Sequence, residues 1–309
     1  MKLRVASLFS GAGGLDLGFV NAGHDVVWAN DHDGDSCLTY RRNIGEHIEH
    51  ADVREVDPNG VPDHDILIGG FPCQGFSRAN IHRVEQDERN SLYVHVIRFL
   101  KFKQPKFFML ENVRGILTLN GGKDFQEIQA ALAECGYDVQ HKVLNAAHYG
   151  VPQSRIRVIL VGIRRDVTDQ YEYEYPRPTH SANTRDGLKP LVTIAEALRD
   201  ISEPTEGYNL PNHIYSAYKI TNRDFTGHRA TDPNKPSPTI LARGNGGGGV
   251  CAIQHPLNHR RLSVRESATI QTFPLDFVFE GKLMSGYRQV GNAVPVLLGQ
   301  QVAMGFRKK

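Results

Sequence analysis

The chain has 309 residues, 40% of them hydrophobic and 23% charged, and a formal net charge of +2. That composition excludes a disordered or fibrous chain and fits one large globular domain or two of ordinary size. No apolar run approaches the roughly 20 residues that span a bilayer, and the N-terminus MKLRVASLFSGAGG lacks a secretory signal's apolar run and cleavage site, so a cytoplasmic protein with no membrane partner is expected.

In chain order, Leu3 to Phe9 is a short apolar run that ends at Ser10-Gly11-Ala12-Gly13-Gly14, and Leu15 to Ala22 reads as a helix closed by Gly23. Asp25 to Asn30 is a second strand ending in Asp31, and Ile66 to Ile68 ends a strand at Gly69-Gly70-Phe71-Pro72-Cys73. Leu92, Val96, Phe99 and Leu100 make one helical face within 90 to 102. Phe107 to Leu110 is a strand running into Glu111-Asn112. Phe125, Ile128 and Leu132 mark a helix, and Val158 to Ile163 is a further strand. Strands alternating with helices predict an α/β fold with a mainly parallel sheet, whose ligands sit beyond the carboxyl ends of the strands.

From about residue 176 the pattern breaks. Nine of the 16 prolines and the run Gly244-Asn245-Gly246-Gly247-Gly248-Gly249 fall within 176 to 257, and only Ile194 to Leu198 reads as a helix. Five Lys/Arg face two acids within 207 to 257, a modest excess that fits a polyanion but is also common on solvated surfaces. This predicts a smaller, loop-rich module at 176–257 between two parts of the main domain, 1–175 and 258–309. After 258 a helix is expected near Val264 to Gln271, and Tyr287 to Pro295 reads as a loop.

The chemistry-bearing residues collect at the strand ends. A glycine-rich turn between a first strand and a first helix suits a nucleotide-like cofactor, but Asp16 stands where a dinucleotide fingerprint starting at Gly11 needs glycine. Asp31 and Asp52 can accept from ribose hydroxyls and an adenine amino group, although a lone aspartate is more often a loop cap. Together they favour a nucleoside-bearing cofactor without pyrophosphate, such as S-adenosylmethionine. Cys37, Cys73, Cys135 and Cys251 lie far apart with no Cys-x-x-Cys pair, which argues for free thiols and against a metal site. Three read as small buried hydrophobes. Cys73, in turn chemistry backed by Gly69, Gly70 and Gly75, reads as a nucleophile. Glu111 ends the neighbouring strand, and Arg155 and Arg157 alternate along another, where alternation gives one shared face. The plainer alternatives are a surface carboxylate and an exposed strand face.

These residues stand in motifs whose order resembles the DNA (cytosine-5)-methyltransferases over most of the chain: FSGAGGLDLG (9–18), GGFPCQGFS (69–77), DERNSL (87–92), ENV (111–113), QSRIR (153–157), RRLSVRESATIQTFP (260–274) and YRQVGNAVP (287–295). The resemblance implies a Rossmann-like, S-adenosylmethionine-dependent catalytic domain with a target recognition domain at 176–257. It implies sequence-specific methylation of cytosine C5 in duplex DNA by base flipping. Cys73 is the implied nucleophile on C6, Glu111 the group holding N3 and the exocyclic amine, and Arg157, with Arg155 beside it, the contact to O2. Phe9, Gly11, Ala12, Gly13, Gly14, Leu15, Asp31, His32, Asp52, Val53, Pro72, Leu92, Asn292 and Val294 fall at cofactor-contacting positions. Asp31 stands where glutamate is common, and His32 where some relatives carry a stacking aromatic. The implied DNA contacts are Ser77, Arg78, Arg83 and Arg89 in a lid from about 77 to 89, and Arg243 as a base reader. A monomeric bacterial or phage modification enzyme, paired with a restriction endonuclease of the same site, is the expected setting. The competing readings are a transfer-RNA cytosine-5 methyltransferase, whose usual Cys-Phe-Thr is not matched at Cys251-Ala252, a non-catalytic DNA-binding relative, and a nicotinamide oxidoreductase.

Overall fold

Apolar runs buried on both sides build the centre of the molecule. Seven strands form one sheet in the order β3-β2-β1-β4-β5-β7-β6: β1 (Arg4–Leu8), β2 (Asp25–Asp31), β3 (Ile48–His50), β4 (Ile66–Gly69), β5 (Phe107–Val113), β6 (Tyr137–Asn145) and β7 (Ile156–Arg164). The computed structural model describes residues 1–71, 92–183, 187–204, 210–216, 231–242, 253–258 and 260–309. The pairs β3/β2, β2/β1, β1/β4 and β4/β5 are parallel, as the alternating sequence pattern predicts. β7 runs antiparallel between β5 and β6.

Side-chain alternation along the strands divides the core in two. Val5, Ile66, Ile68, Phe107, Met109, Ile159 and Val161 join Leu15 and Phe19 of α1 (Gly14–Asn21) and Leu298 and Val302 near the C-terminus. Ala6, Leu8, Leu67, Phe108, Leu110, Val158 and Leu160 join Val96, Phe99, Phe125 and Ile128 on the other face. The helices α3 (Leu92–Lys103) and α4 (Lys123–Glu134) complete this half, while Cys37 and Tyr40 of α2 (Gly34–Asn43) pack with Ala29 and Ile48 in a separate cluster. α1 packs backbone to backbone on the C-terminal helix at 296–303, because a Cβ at Gly18 would lie 2.6 Å from Gln300 N and 2.7 Å from Val296 O.

Beyond β7 come β8 (Tyr171–Tyr173), the short parallel pair β9 (His180–Ser181) and β10 (Lys189–Pro190), and α5 (Ile194–Leu198). α6 (Val264–Ile270), α7 (Leu283–Asn292), α8 (Val296–Ala303) and β11 (Phe306–Lys308) follow, β11 pairing antiparallel with β8. Ile194, Leu198, Ile240 and Ile253 share a third cluster with Leu262, Ile270, Phe273 and Val290. The described ends of 176–257 are thus fastened to the C-terminal helices.

One expectation is corrected. Residues 287–292 are helical, not loop: Tyr287 and Val290 are buried members of α7 and extend its apolar face from Leu283. The helix ends at Asn292 because Ala293 turns extended ahead of Pro295. Among the described residues, no helix is long and apolar enough to cross a membrane.

Candidate active site

The loop after β1 is built from left-handed backbone. Phe9, Gly11 and Gly13 have φ of 55°, 56° and 83°, which turns the chain back on itself before α1 starts. A Cβ at Gly11 would meet nothing within 4 Å, so the loop leaves open space there, whereas a Cβ at Gly14 would collide with Val294 O. The closing motif therefore does return to the glycine loop. Asp31, at the end of β2, braces the same loop: its carboxylate accepts from Gly11 N (2.8 Å) and Asp33 N (2.9 Å). Burial pushes the Asp31 carboxyl up despite these bonds. His32 stands exposed, with Nδ1 3.5 Å from Asp31. Open space at a glycine, bounded by a strand-end carboxylate and a helix N-terminus, fits a nucleoside-bearing cofactor.

Other expected cofactor residues divide by burial. Ala12, Leu15 and Val53 point into the core clusters, and Val53 O accepts from Arg98 Nη2 (2.6 Å). Phe9 and Leu92 are partly buried against the cluster below the sheet, and Asn292 is exposed at the end of α7. Asp52 is partly exposed and accepts from Arg54 on both oxygens. Arg54 donates to its Oδ1 from N (2.9 Å) and Nε (3.0 Å) and to its Oδ2 from Nη2 (2.7 Å). These bonds hold the Asp52 carboxyl down at about 2.

Beneath the loop lies an acid that sequence reasoning used only to exclude a dinucleotide site. Asp16 is fully buried and accepts from Ser7 Oγ (3.0 Å) and Tyr40 Oη (3.1 Å). Burial, opposed by these hydroxyls, pushes its carboxyl up to about 7. Between about pH 4 and pH 7 the unfolded chain has released this proton and the folded chain holds it, so stability falls as pH rises, by at most about 1.4 kcal/mol per pH unit. Above that window both states are ionised and the slope vanishes. Asn mimics the neutral acid, so Asp16→Asn should flatten the pH dependence of urea midpoints between about pH 4 and pH 7. Equal slopes in variant and wild type would contradict this assignment.

Two of the catalytic candidates, Glu111 near the end of β5 and Arg157 near the start of β7, meet across the sheet. In the β5/β7 register Glu111 faces Ile159 and Val113 faces Arg157, so Glu111 and Arg157 are diagonal neighbours on one face. Arg157 Nε lies 2.6 Å from Glu111 Oε1, and the two side chains are 10% and 12% exposed. Asn112 Nδ2 donates to Phe71 O (3.1 Å), one peptide before Pro72, and a Cβ at Gly70 would stand 3.1 Å from Glu111 Oε2. The entry to the cysteine loop is thus held against the Glu111–Arg157 pair. Pro72, Cys73, Ser77, Arg78, Arg83, Arg89 and Arg243 lie outside the described residues.

Neither arginine lies on an exposed strand face: Arg155 is 2% and Arg157 8% exposed. Arg155 precedes β7, and its guanidinium donates to Ile240 O (3.0 Å) and Gly291 O (3.2 Å). Burial, with the like charge of Arg157, pulls it down to about 9. Its described bonds make it a strut between main-chain segments. Cys37 and Cys135 are buried free thiols, and burial pushes Cys37 up to about 12. Among the described residues no group of three or more His, Cys, Asp or Glu could hold a metal ion. Sequence reasoning also missed the Ser263/Glu266 capping box, signalled by S-x-x-E, and the bidentate grip of Arg260 on Glu266 at 2.7 and 2.8 Å.

Known proteins resemble the chain over nearly its whole length. A solved E. coli chain described as a DNA modification methyltransferase encoded within a prophage superposes with a TM-score of 0.72 at 24% identity, covering 98% of each chain. The Type II methyltransferase M.NgoFVII of Neisseria gonorrhoeae is 41% identical, with 95% of this chain and 83% of that one covered. M.MthTI of Methanothermobacter thermautotrophicus, also a Type II methyltransferase, is 37% identical over 100% of this chain and 98% of its own. The family model for C-5 cytosine-specific DNA methylases matches residues 3–307, and the chain belongs to that family.

Proposed function

We propose that Cys73, Glu111 and Arg157 act together on a cytosine flipped out of duplex DNA, and that residues 176–257 select the sequence in which that cytosine stands. Family membership makes the chain a DNA cytosine-5 methyltransferase that uses S-adenosylmethionine. The observation that carries the residue assignment is the Asn112–Phe71 bond beside the Glu111–Arg157 ion pair, which ties the root of the cysteine loop to the carboxylate.

Cytosine C5 is a poor nucleophile until C6 bears a substituent. Addition of the Cys73 thiolate to C6 pushes electron density toward C5, N3 and O2. Glu111, reaching N3 and the exocyclic amine, offsets the charge that develops on the ring, and Arg157 steadies Glu111 and meets O2. When bound over the glycine loop, S-adenosylmethionine supplies an electrophilic methyl group. Loss of the C5 proton to a base then lets the C6–S bond break, which frees Cys73. A stacked base cannot reach these groups, so flipping, at about a few kcal/mol, precedes the chemistry.

The curated relatives' Type II names support the DNA reading over the transfer-RNA one, and a restriction endonuclease of the same site as biological partner. A monomer acting in the cytoplasm is the simplest form. The test is duplex DNA carrying 5-fluorocytosine, incubated with the enzyme and S-adenosylmethionine. Fluorine cannot leave as a proton, so a denaturation-resistant protein–DNA complex linked through Cys73 is expected. An adduct on fluorinated RNA and none on DNA would move the enzyme to the transfer-RNA branch.

A further inference from the structure

We propose that Gln153 and Gln271 form a relay of side-chain amides that holds the segment leading into the Gly244–Gly249 run in register with the Glu111–Arg157 pair, and that this register sets both the rate of methylation and the choice of site. The inference rests on reading 176–257 as the recognition segment.

Both glutamines are fully buried. Ile240 N donates to Gln153 Oε1 (2.9 Å), Gln153 Nε2 donates to Gln271 Oε1 (2.7 Å), and Gln271 Nε2 donates to Val290 O (2.7 Å) and Ala293 O (3.1 Å). The direction is forced. The relay begins at a main-chain N–H and ends at main-chain carbonyls, so each amide must accept on one side and donate on the other. A carboxylate at either position cannot pass the bond on, and an apolar residue leaves buried groups unpaired.

The same short stretch fastens the other side of Ile240, whose carbonyl accepts from Arg155. Ser154 N donates to Ser237 O (2.8 Å), Ser237 N to Pro152 O (2.9 Å), and Thr239 Oγ1 to Ser154 O (2.7 Å). Gly291 completes the joint, because a Cβ there would collide with the backbone of Leu241 and Ala242. Two residues beyond Arg155, Arg157 meets Glu111. Residues 153–157 therefore grip the recognition segment at one end and hold the catalytic arginine at the other. A buried apolar contact would tolerate a small slide between these segments, whereas a fully satisfied polar relay has one arrangement. Gln153 and Gln271 are positioning residues, since the bonds described for them go to protein groups.

The test uses the full-length enzyme as wild type, Gln153→Leu, Gln271→Leu, the double variant, and Thr239→Val, which cuts a link at the more exposed rim of the joint. Each methylates duplex DNA of mixed sequence, and bisulfite sequencing reads the modified sites. S-adenosylmethionine affinity and thermal midpoint are measured alongside. Gln153→Leu is expected to lower kcat by about ten- to a hundredfold, as a displacement of about 1 Å can. It should also spread methylation to sites differing by one base pair, with S-adenosylmethionine affinity unchanged. The double variant should be no slower than the worse single one, because a serial relay breaks once. Thr239→Val should shift the site spectrum in the same direction by a smaller factor in a stably folded chain. Folded variants with the wild-type rate and site spectrum overturn the proposal, as does a loss of cofactor affinity in step with rate. Should Gln153→Leu fail to fold, an unchanged spectrum in Thr239→Val overturns it alone. A wild-type enzyme that leaves duplex DNA unmethylated sinks the functional reading instead, before any variant is compared.

Discussion

Cys73→Ser is expected to lower methyl transfer by at least about 10⁴-fold while leaving DNA and S-adenosylmethionine binding intact. A serine hydroxyl is hardly ionised near neutral pH, whereas a thiolate is both accessible and strongly nucleophilic. The adduct on 5-fluorocytosine DNA should vanish in the variant. The other cysteines offer little substitute. Cys37 and Cys135 are buried in the described structure, and burial pushes both thiols up, away from the thiolate form. Turnover within tenfold of wild type would sink the assignment and turn attention to Cys251, which Cys251→Ser would then test. Intact binding is expected because the root of the loop, Phe71, is held through its carbonyl by Asn112 and buries its side chain. Neither contact involves the sulfur.

Much of this could be read from the chain because central strands of a parallel sheet are buried on both faces and appear as plain apolar runs. β1, β4 and β5 are of that kind. β6 is an edge strand with mostly exposed or half-buried residues, so no periodic pattern marks it. The antiparallel insertion of β7 is a property of the whole sheet, and it is what brings Arg157 across to Glu111. Local spacing suggested that Arg155 and Arg157 share a face. Arg155 lies before the strand begins and is spent on the carbonyls of Ile240 and Gly291. The Asp52 carboxyl shows the same limit at shorter range: its ion pair with Arg54, two residues on, carries no sequence signal. α7 was masked by its glycines, which usually signal a loop. At Gly291 the missing side chain serves a backbone crossing within a helix.

Glu111→Gln is expected to slow methyl transfer by about 10²- to 10³-fold, with a smaller loss of stability than Glu111→Ala, because one preorganised group facing the developing charge is lost. The amide has nearly the carboxylate's shape and leaves an oxygen to face Arg157. It cannot hold a proton at N3 as an acid does, nor carry the charge that balances the guanidinium. Glu111→Ala should add a folding defect of about 3–5 kcal/mol, since removing one partner of a buried pair strands the other charge. Arg157 is 8% exposed and its other described bond is to Ile156 O. The two variants therefore separate chemistry from structure: both lose rate, and the alanine loses more stability. Single-turnover rates with saturating S-adenosylmethionine, read beside urea midpoints, check this. Adduct formation on 5-fluorocytosine DNA should fall in parallel with rate in Glu111→Gln, because the charge is needed when Cys73 adds to C6. Full-rate adduct formation with slow methyl transfer would place Glu111 after the addition step and overturn its role in activating the ring.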